Sequence, residues 1–150
     1  AIGFMRDETT NIPPTFYWPI RVYYEDSDAG GVVYHSNYLN FMERARTEWL
    51  RHLGFEQPQL RETLGVIIVV HSMHIAFKAP AYFNDMLQIA CNISKVGRSS
   101  LEMLQKITRG DNVLIEAGVK LAFVDADSFK PVAIPADIQS AMLSKNLQQT

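Results

Sequence analysis

The densest group of polar side chains in this sequence lies between residues 23 and 37. Three carboxylates occur within four residues, ending at Asp28, and Gly30-Gly31 follows. His35 comes seven residues after Asp28. A carboxylate and an imidazole in one loop supply a base or nucleophile and a group that polarises a carbonyl, while glycines let the backbone approach a ligand. The pattern is compatible with acid–base or nucleophilic catalysis, and a solvated acidic turn that Asp28 helps to bend is the alternative interpretation.

A strand is predicted to enter this loop. Over Phe16–Glu25, apolar and aromatic side chains alternate with polar ones, which is typical of a half-buried strand. The alternation places Ile20, Val22 and Tyr24 on one inward face. Tyr24 can therefore be a half-buried core aromatic, or it can reach the end of the loop and position a water molecule or Asp28.

A long helix is predicted to leave the loop. Apolar residues recur at steps of three and four over Asn37–Leu53. Ser36 or Asn37 is suited to cap its start, and Gly54 is suited to end it. The free N–H groups and positive dipole end of such a helix favour a developing oxyanion. His35 would precede the helix, either as a polar capping residue or facing the same carbonyl.

The rest of the chain predicts a sheet. Residues Pro58–Leu64 can form a short second helix, and then the apolar pattern changes to a period of two. One helix followed by consecutive strands excludes a parallel α/β fold and predicts an α+β fold, with about five antiparallel strands around one long central helix. A single helix leaves one sheet face open, so an oligomer is expected. The four later strands are Val66–Lys78, Met86–Lys95, Ser99–Thr108 and Val113–Asp125.

Length and composition exclude several classes of protein. The 150 residues suit one domain, with residues 1–15 as a flexible leader, 16–135 as the folded domain and 136–150 as a C-terminal helix or tail. The net charge of −2 excludes a strongly basic nucleic-acid-binding surface as a global feature. No apolar run approaches a membrane span, and no signal peptide is recognised. With one cysteine and no metalloprotease motif, neither a disulfide framework nor a metal site is expected, and the predicted location is cytoplasmic.

The run from Tyr24 to Tyr38, YEDSDAGGVVYHSNY, resembles the signature of hotdog-fold acyl-CoA thioesterases. These form the 4-hydroxybenzoyl-CoA thioesterase family, and the most similar branch is the YbgC-like one associated with Tol–Pal. The likeness covers about residues 17–135. It continues in the segments FMERARTE (41–48), KAPA (78–81) with Asp85, GRSS (97–100) and FVD (123–125), with Pro131 and Pro135.

The resemblance implies a hotdog fold, in which a curved antiparallel sheet wraps a central helix. It also implies dimers or tetramers with active sites between subunits, and a partner in an envelope complex. The catalytic carboxylate of the family corresponds to Asp28, as base or nucleophile, and its companions correspond to Tyr24 and His35. Coenzyme A is part of the substrate, so no separate cofactor is expected.

Further residues are candidates for binding the substrate. Coenzyme A carries several negative charges, and basic or hydroxyl groups near strand ends could meet its phosphates. For each of these, an ordinary strand edge is the alternative interpretation. The basic candidates are Lys78, Lys95, Arg98 and Arg109, the hydroxyl candidates are Ser99 and Ser100, and Gly30 and Gly31 would let the backbone approach the substrate.

Three functions are compatible with these features. The preferred one is hydrolysis of an acyl-CoA thioester to a carboxylic acid and free coenzyme A. The others are a hotdog hydratase or dehydratase, and a non-catalytic protein that binds acyl-CoA or belongs to an envelope complex. The loop centred on Asp28 argues against the hydratase, and the presence of Tyr24, Asp28 and His35 together argues against the binding protein. The sequence leaves open the acyl group, and whether the carrier is coenzyme A or an acyl carrier protein.

Overall fold

The structure, a computed structural model, describes residues 15–148. The predicted leader lies almost entirely outside these residues. Five strands form one sheet in which every neighbouring pair is antiparallel, in the order β1-β3-β4-β5-β2. The strands are β1 (Phe16–Arg21), β2 (Val66–Phe77), β3 (Met86–Val96), β4 (Ser100–Arg109) and β5 (Asn112–Asp125).

Three helices accompany the sheet, and the longest of them fills its inner face. They are α1 (His35–His52), α2 (Gln57–Leu64) and α3 (Ala136–Gln148), with a 3-10 turn at Tyr24–Asp26 before α1. The side of α1 that meets the sheet is buried, including Phe41, Met42 and Ala45. It packs against alternate residues of β3, β4 and β5, which burial of apolar surface stabilises. The predicted five-stranded α+β arrangement is confirmed.

The first strand is shorter than its alternation predicts. It ends at Arg21, and Tyr24 is 72% exposed instead of facing inward. The Asp26 carboxylate accepts the N–H of Tyr23 at 2.9 Å, which turns the chain into the 3-10 turn before the strand can continue. The prediction that Tyr24 lies on the inward face of a strand is therefore wrong, although Val22 is fully buried as expected.

The start of the helix also differs from the prediction. The first helical residue is His35, and Tyr34 occupies the N-cap position without a side-chain cap. Neither Ser36 nor Asn37 caps the helix; the amide of Asn37 instead donates to Asp26 at 2.7 Å. At the other end, Gly54 adopts a φ of 101°, a conformation suited to the residue that follows a helix.

A buried polar cluster joins α1 to the inner face of the sheet. Gln105, which is 0% exposed, donates to the carbonyl of Met42 at 3.1 Å and to Cys91 Sγ at 3.3 Å. Its Oε1 accepts a hydrogen bond from Arg46 at 3.0 Å. Burial lowers the pKa of the Arg46 guanidinium and raises that of the Cys91 thiol to about 11. Both the acceptor and the donor end of the Gln105 amide are thus engaged.

The sheet has two edges of different character. The β1 edge is six residues long and contains Pro19. The β2 edge is twelve residues long, and its inward-facing Val70 and Phe77 remain 46% and 48% exposed. Within the described part of the chain, no helix is both long and apolar enough to cross a bilayer.

Candidate active site

Asp28 lies at the first position of a tight turn. The Gly31 N–H donates to its carbonyl at 2.9 Å, and its own N–H donates to Val32 O at 2.9 Å. Its Oδ1 accepts the N–H groups of Gly30 at 2.8 Å and Val32 at 3.1 Å, the arrangement for which aspartate is favoured in turns. No group within residues 15–148 bonds to Oδ2, and the side chain is exposed. One oxygen therefore holds the turn, and the other is available for chemistry.

The loop that connects β2 to β3 is hydrogen-bonded to this turn. Gly31 adopts a φ of 83°, which favours glycine, and its carbonyl accepts the N–H of Phe83 at 2.8 Å. Ala81 O accepts the Val33 N–H at 3.0 Å, and Ala81 N–H donates to Tyr38 Oη at 2.8 Å. Burial raises the pKa of the Tyr38 hydroxyl, which is held beneath the loop. The Asp28 turn is thus connected to the buried face of α1.

The same connecting loop is fixed to the sheet by an ion pair. Arg109, the last residue of β4, contacts the Asp85 carboxylate at 2.7 Å and donates to Pro80 O at 3.2 Å. Asp85 also accepts the Tyr82 N–H at 2.9 Å. Both ends of the loop that supports Asp28 are therefore bonded to the end of β4.

His35 begins α1 at the other end of the Asp28 loop. Its ring packs against Phe77, with 4.6 Å between the ring centroids. The N–H groups of His35 and Ser36 occupy the first helical turn, where no intrahelical acceptor exists. His35 lines a cleft of about 220 Å³ whose walls include Val32, Lys78 and Phe77. The start of α1 therefore borders one small cleft.

Tyr24 lies in a different cleft from His35. Its ring meets Phe83 edge-on at 5.8 Å, and its neighbours there include Arg21 and Asn84. Among residues 15–148, no hydrogen bond or ring contact joins Tyr24, Asp28 and His35 to one another. A single chain thus places the three predicted catalytic residues around one loop without closing them into one site.

The predicted substrate-binding residues fall into two groups. Gly30 and Gly31 belong to the Asp28 turn, and Lys78 lines the His35 cleft, where its ammonium lies 3.4 Å from Glu116. The second group, residues 98–100, comprises the turn before β4 and the first residue of β4, at the opposite end of the sheet. The β5 residue that is hydrogen-bonded to Lys78 and the β5 residue that pairs with Ser100 are eight positions apart. This separation is about 26 Å along the strand.

Two residues at the site, Asp26 and Phe77, have contacts that the sequence does not predict. Asp26, one of the three carboxylates of the loop, is 5% exposed and bonded to Asn37. In the sequence, Phe77 is one apolar residue of a predicted strand. Its contact with His35 is formed only when the strand packs against the start of α1. The presence of Asp26 and Asn37 on either side of the loop was the available signal, because an isolated buried carboxylate requires a donor. Among the residues described, no three His, Cys, Asp or Glu side chains are placed to hold a metal ion.

Comparisons with known proteins identify the family to which this chain belongs. A sequence model of the thioesterase-like superfamily matches residues 22–142. The acyl-CoA thioester hydrolase YbgC of Escherichia coli O6:H1 is 48% identical over 124 residues, covering 82% of this chain and 92% of that protein. The acyl-CoA thioesterase YbgC of Haemophilus influenzae is 44% identical over 126 residues, covering 84% and 93%. The crystal structure of a probable thioesterase from Bartonella henselae superposes with a TM-score of 0.77 at 35% identity, covering 81% of this chain and 100% of that one.

Proposed function

This chain belongs to the thioesterase-like superfamily, has the hotdog fold and is an acyl-CoA thioester hydrolase, and we propose that Asp28, His35 and Tyr24 carry out its chemistry. The observation that supports Asp28 most strongly is the division of labour between its two oxygens. Oδ1 is engaged by two backbone N–H groups of the turn, whereas Oδ2 is free and exposed. A reacting carboxylate needs this combination of a fixed position and a free oxygen.

Hydrolysis replaces the C–S bond of the thioester with a C–O bond. In the general-base form, Asp28 Oδ2 takes a proton from water as the water attacks the carbonyl, and the proton then passes to the leaving thiolate. In the nucleophilic form, Oδ2 attacks the carbonyl and expels the thiolate, and water hydrolyses the resulting anhydride. Both forms give a carboxylic acid and free coenzyme A.

A single turnover in ¹⁸O-labelled water separates the general-base form from the nucleophilic form in which water attacks the carboxyl carbon of Asp28. With enzyme in excess, the general-base form places ¹⁸O in the acid product during the first turnover. The nucleophilic form, with water attacking the carboxyl carbon of Asp28, leaves ¹⁸O in the enzyme and releases unlabelled acid. Mass spectrometry of the product and of the peptide that contains Asp28 gives the answer.

His35 stabilises the developing negative charge on the thioester oxygen. Its ring packs against Phe77, and His35 is both the first residue of α1 and part of the cleft wall. Fixed donors aimed at a developing oxyanion are a large source of rate enhancement. Tyr24 positions the attacking water or the Asp28 carboxylate in the assembled site. Tyr24→Phe tests this role, because it keeps the ring and removes the hydroxyl. Turnover should fall while the protein remains folded.

Lys78 contacts the phosphates of coenzyme A. It is half-exposed and lines the His35 cleft, and its ammonium lies 3.4 Å from Glu116. Lys78→Ala should raise KM for acyl-CoA several-fold while leaving turnover nearly unchanged. Lys106 is the matched control, because it pairs with the same Glu116 at 3.8 Å and lies outside the cleft. Equal KM values for Lys78→Ala and wild type would refute this role. Binding by Arg98, Ser99 and Ser100 stays a prediction.

The active enzyme is an oligomer built on the β2 edge. The side-chain amide of Gln57 donates to the carbonyl of Ile68 and accepts its N–H. These bonds satisfy the backbone near the start of the β2 edge, and the later part of β2 is left for another strand to pair with. Beside this open part runs a groove between α1 and β2 of about 520 Å³, lined by Leu39, Met73 and Ile75 among others. An unpaired apolar edge of this length favours pairing with another strand, here β2 of a second copy.

Sedimentation at micromolar concentration tests this assembly. A dimer or tetramer is expected for the wild type, and Ile75→Asp, which puts a charge into the groove, should shift the population toward the monomer. Wild-type protein that sediments only as a 17.0 kDa species would refute the assembly.

Location, cofactor and partners complete the proposal. The enzyme acts in the cytoplasm, where acyl-CoA is available as a substrate. A carboxylate, a histidine and water suffice for the chemistry, so turnover should persist after dialysis against EDTA. The envelope-complex partner that the YbgC-like resemblance implies stays a prediction.

A thiol-release assay with a series of acyl-CoA chain lengths tests the proposed function as a whole. Release that depends on Asp28, with a maximum at some chain length, is the expected result and identifies the acyl group. The same series on an acyl carrier protein determines the preferred carrier. Hydration of an enoyl-CoA without thiol release would favour the hydratase, and binding without turnover would favour a binding protein.

A further inference from the structure

Asp26 is the one charged residue among the buried polar side chains described, which are Asp26, Ser27 and Gln105. Both of its carboxylate oxygens are used. Oδ2 accepts the N–H of Tyr23 at 2.9 Å, and Oδ1 accepts the Asn37 amide at 2.7 Å. Burying a carboxylate is costly unless donors meet it, and these two contacts supply donors from either side of the Asp28 loop.

The contacts of Asp26 close the loop that carries Asp28. Its backbone carbonyl accepts the Tyr34 N–H at 3.2 Å, and the next residue, Ser27, forms a bridge with Val33. Asn37 lies two residues beyond His35 in the first turn of α1. Asp26 therefore fixes the start of the Asp28 turn relative to the helix end that presents His35. Its negative charge also lies against the positive end of the α1 dipole, which favours this position.

From this geometry we propose that Asp26 is a positioning residue for the thioesterase reaction. Through Asn37 it sets the separation between Asp28 and His35. This inference rests on the function proposed above, since it presumes that Asp28 and His35 act on the same thioester. A misplacement of about 1 Å between reacting groups can lower a rate ~100-fold, so the bond to Asn37 should affect turnover as well as folding.

Exchanging the two partners tests the proposal. Asp26→Asn turns an amide donor toward one of two N–H donors, and Asn37→Asp places two carboxylates face to face. In the double variant, the amide at position 26 still accepts from Tyr23 and donates to the new carboxylate at position 37. Each single variant should lower kcat at least tenfold with KM within about twofold of wild type. The double variant should recover at least tenfold over the weaker single variant.

Other measurements separate positioning from stability. Each kcat is measured well below the melting temperature of that variant. Asn37→Ala removes only the link to the helix and keeps the contact with Tyr23, so it serves as the milder variant if Asp26→Asn does not fold. Asp111→Asn, an exposed carboxylate in the β4–β5 turn, is the matched control and should retain wild-type kcat.

Wild-type kcat in Asp26→Asn or Asn37→Ala, with only a lower melting temperature, would overturn the proposal. Impaired single variants without recovery in the double variant would also overturn it. Failure of the proposed function itself gives a different result, because wild-type enzyme would then release no thiol or Asp28→Asn would remain active.

Discussion

Two polar side chains in this molecule are both bonded to the backbone, but they differ in what they leave unused. Gln105 lies between the sheet and α1, and its amide is engaged at both the oxygen and the nitrogen. Asp28 lies at the tip of a loop, and only one of its two oxygens is engaged. Gln105 is completely buried, whereas Asp28 is exposed.

This difference indicates which polar group is structural and which is chemical. A buried polar group must satisfy its bonds within the protein because an unmet donor or acceptor there costs stability. A reacting group must be held in place and still keep an atom free for the substrate. Changes at Gln105 should therefore lower stability and leave turnover unchanged. Changes at Asp28 should lower turnover and leave stability nearly unchanged.

The largest effect is expected for Asp28→Asn. The amide oxygen of asparagine can accept the same two N–H groups of the turn, so the loop keeps its shape. The nitrogen that replaces Oδ2 is neither a base nor a nucleophile, and turnover should fall on the order of 10³-fold. Thiol release and melting temperature are measured on the same preparation. Near-wild-type thiol release from folded protein would contradict the assignment of Asp28.

His35→Ala should have the second-largest effect. Removing a donor to a developing oxyanion costs about 2.7 kcal/mol or ~100-fold in turnover, and the helical N–H groups remain in the cleft. KM should change little, since the donor acts on charge that develops during the reaction. If the His35 ring only packs against Phe77, the variant will instead melt at a lower temperature and turn over normally.

The sequence predicts the scaffold better than the details of the loop. The apolar period of two placed β2 to β5 to within a few residues, and the period of three to four found α1, because burial on one face dictates these patterns. The position of Tyr24 differs from the prediction because the side chain of Asp26, five residues after the end of β1, ends the alternation. Hydrogen bonds between distant residues, such as that of Tyr38 with Ala81, have no periodicity by which they could be found.

Gln105→Leu tests the structural side of the comparison. The substitution leaves the inward-facing donor of Arg46 without its acceptor, and the free energy of unfolding should fall by about 1–3 kcal/mol. For a chain of this size, that corresponds to about 2–4 °C in melting temperature per kcal/mol. Turnover at 25 °C should stay near the wild-type value. Leu104→Ala, an exposed neighbour on the same strand, is the matched control and should change the melting temperature little.

The smallest effect, and the one that separates the two regions most simply, concerns Cys91. Burial raises the pKa of this thiol to about 11. The thiolate is the reactive form, so at pH 8 the native protein should react with a disulfide reagent far more slowly than protein unfolded in guanidinium. The native rate should still rise with pH above 9, where an ordinary thiol levels off. Cys91→Ala should keep wild-type turnover, because the thiol belongs to the Gln105 cluster and not to the Asp28 loop. Labelling of native protein at pH 8 at the rate of the unfolded chain would mean that the interior opens readily. The difference in exposure between the Gln105 cluster and the Asp28 loop would then be smaller than the structure indicates.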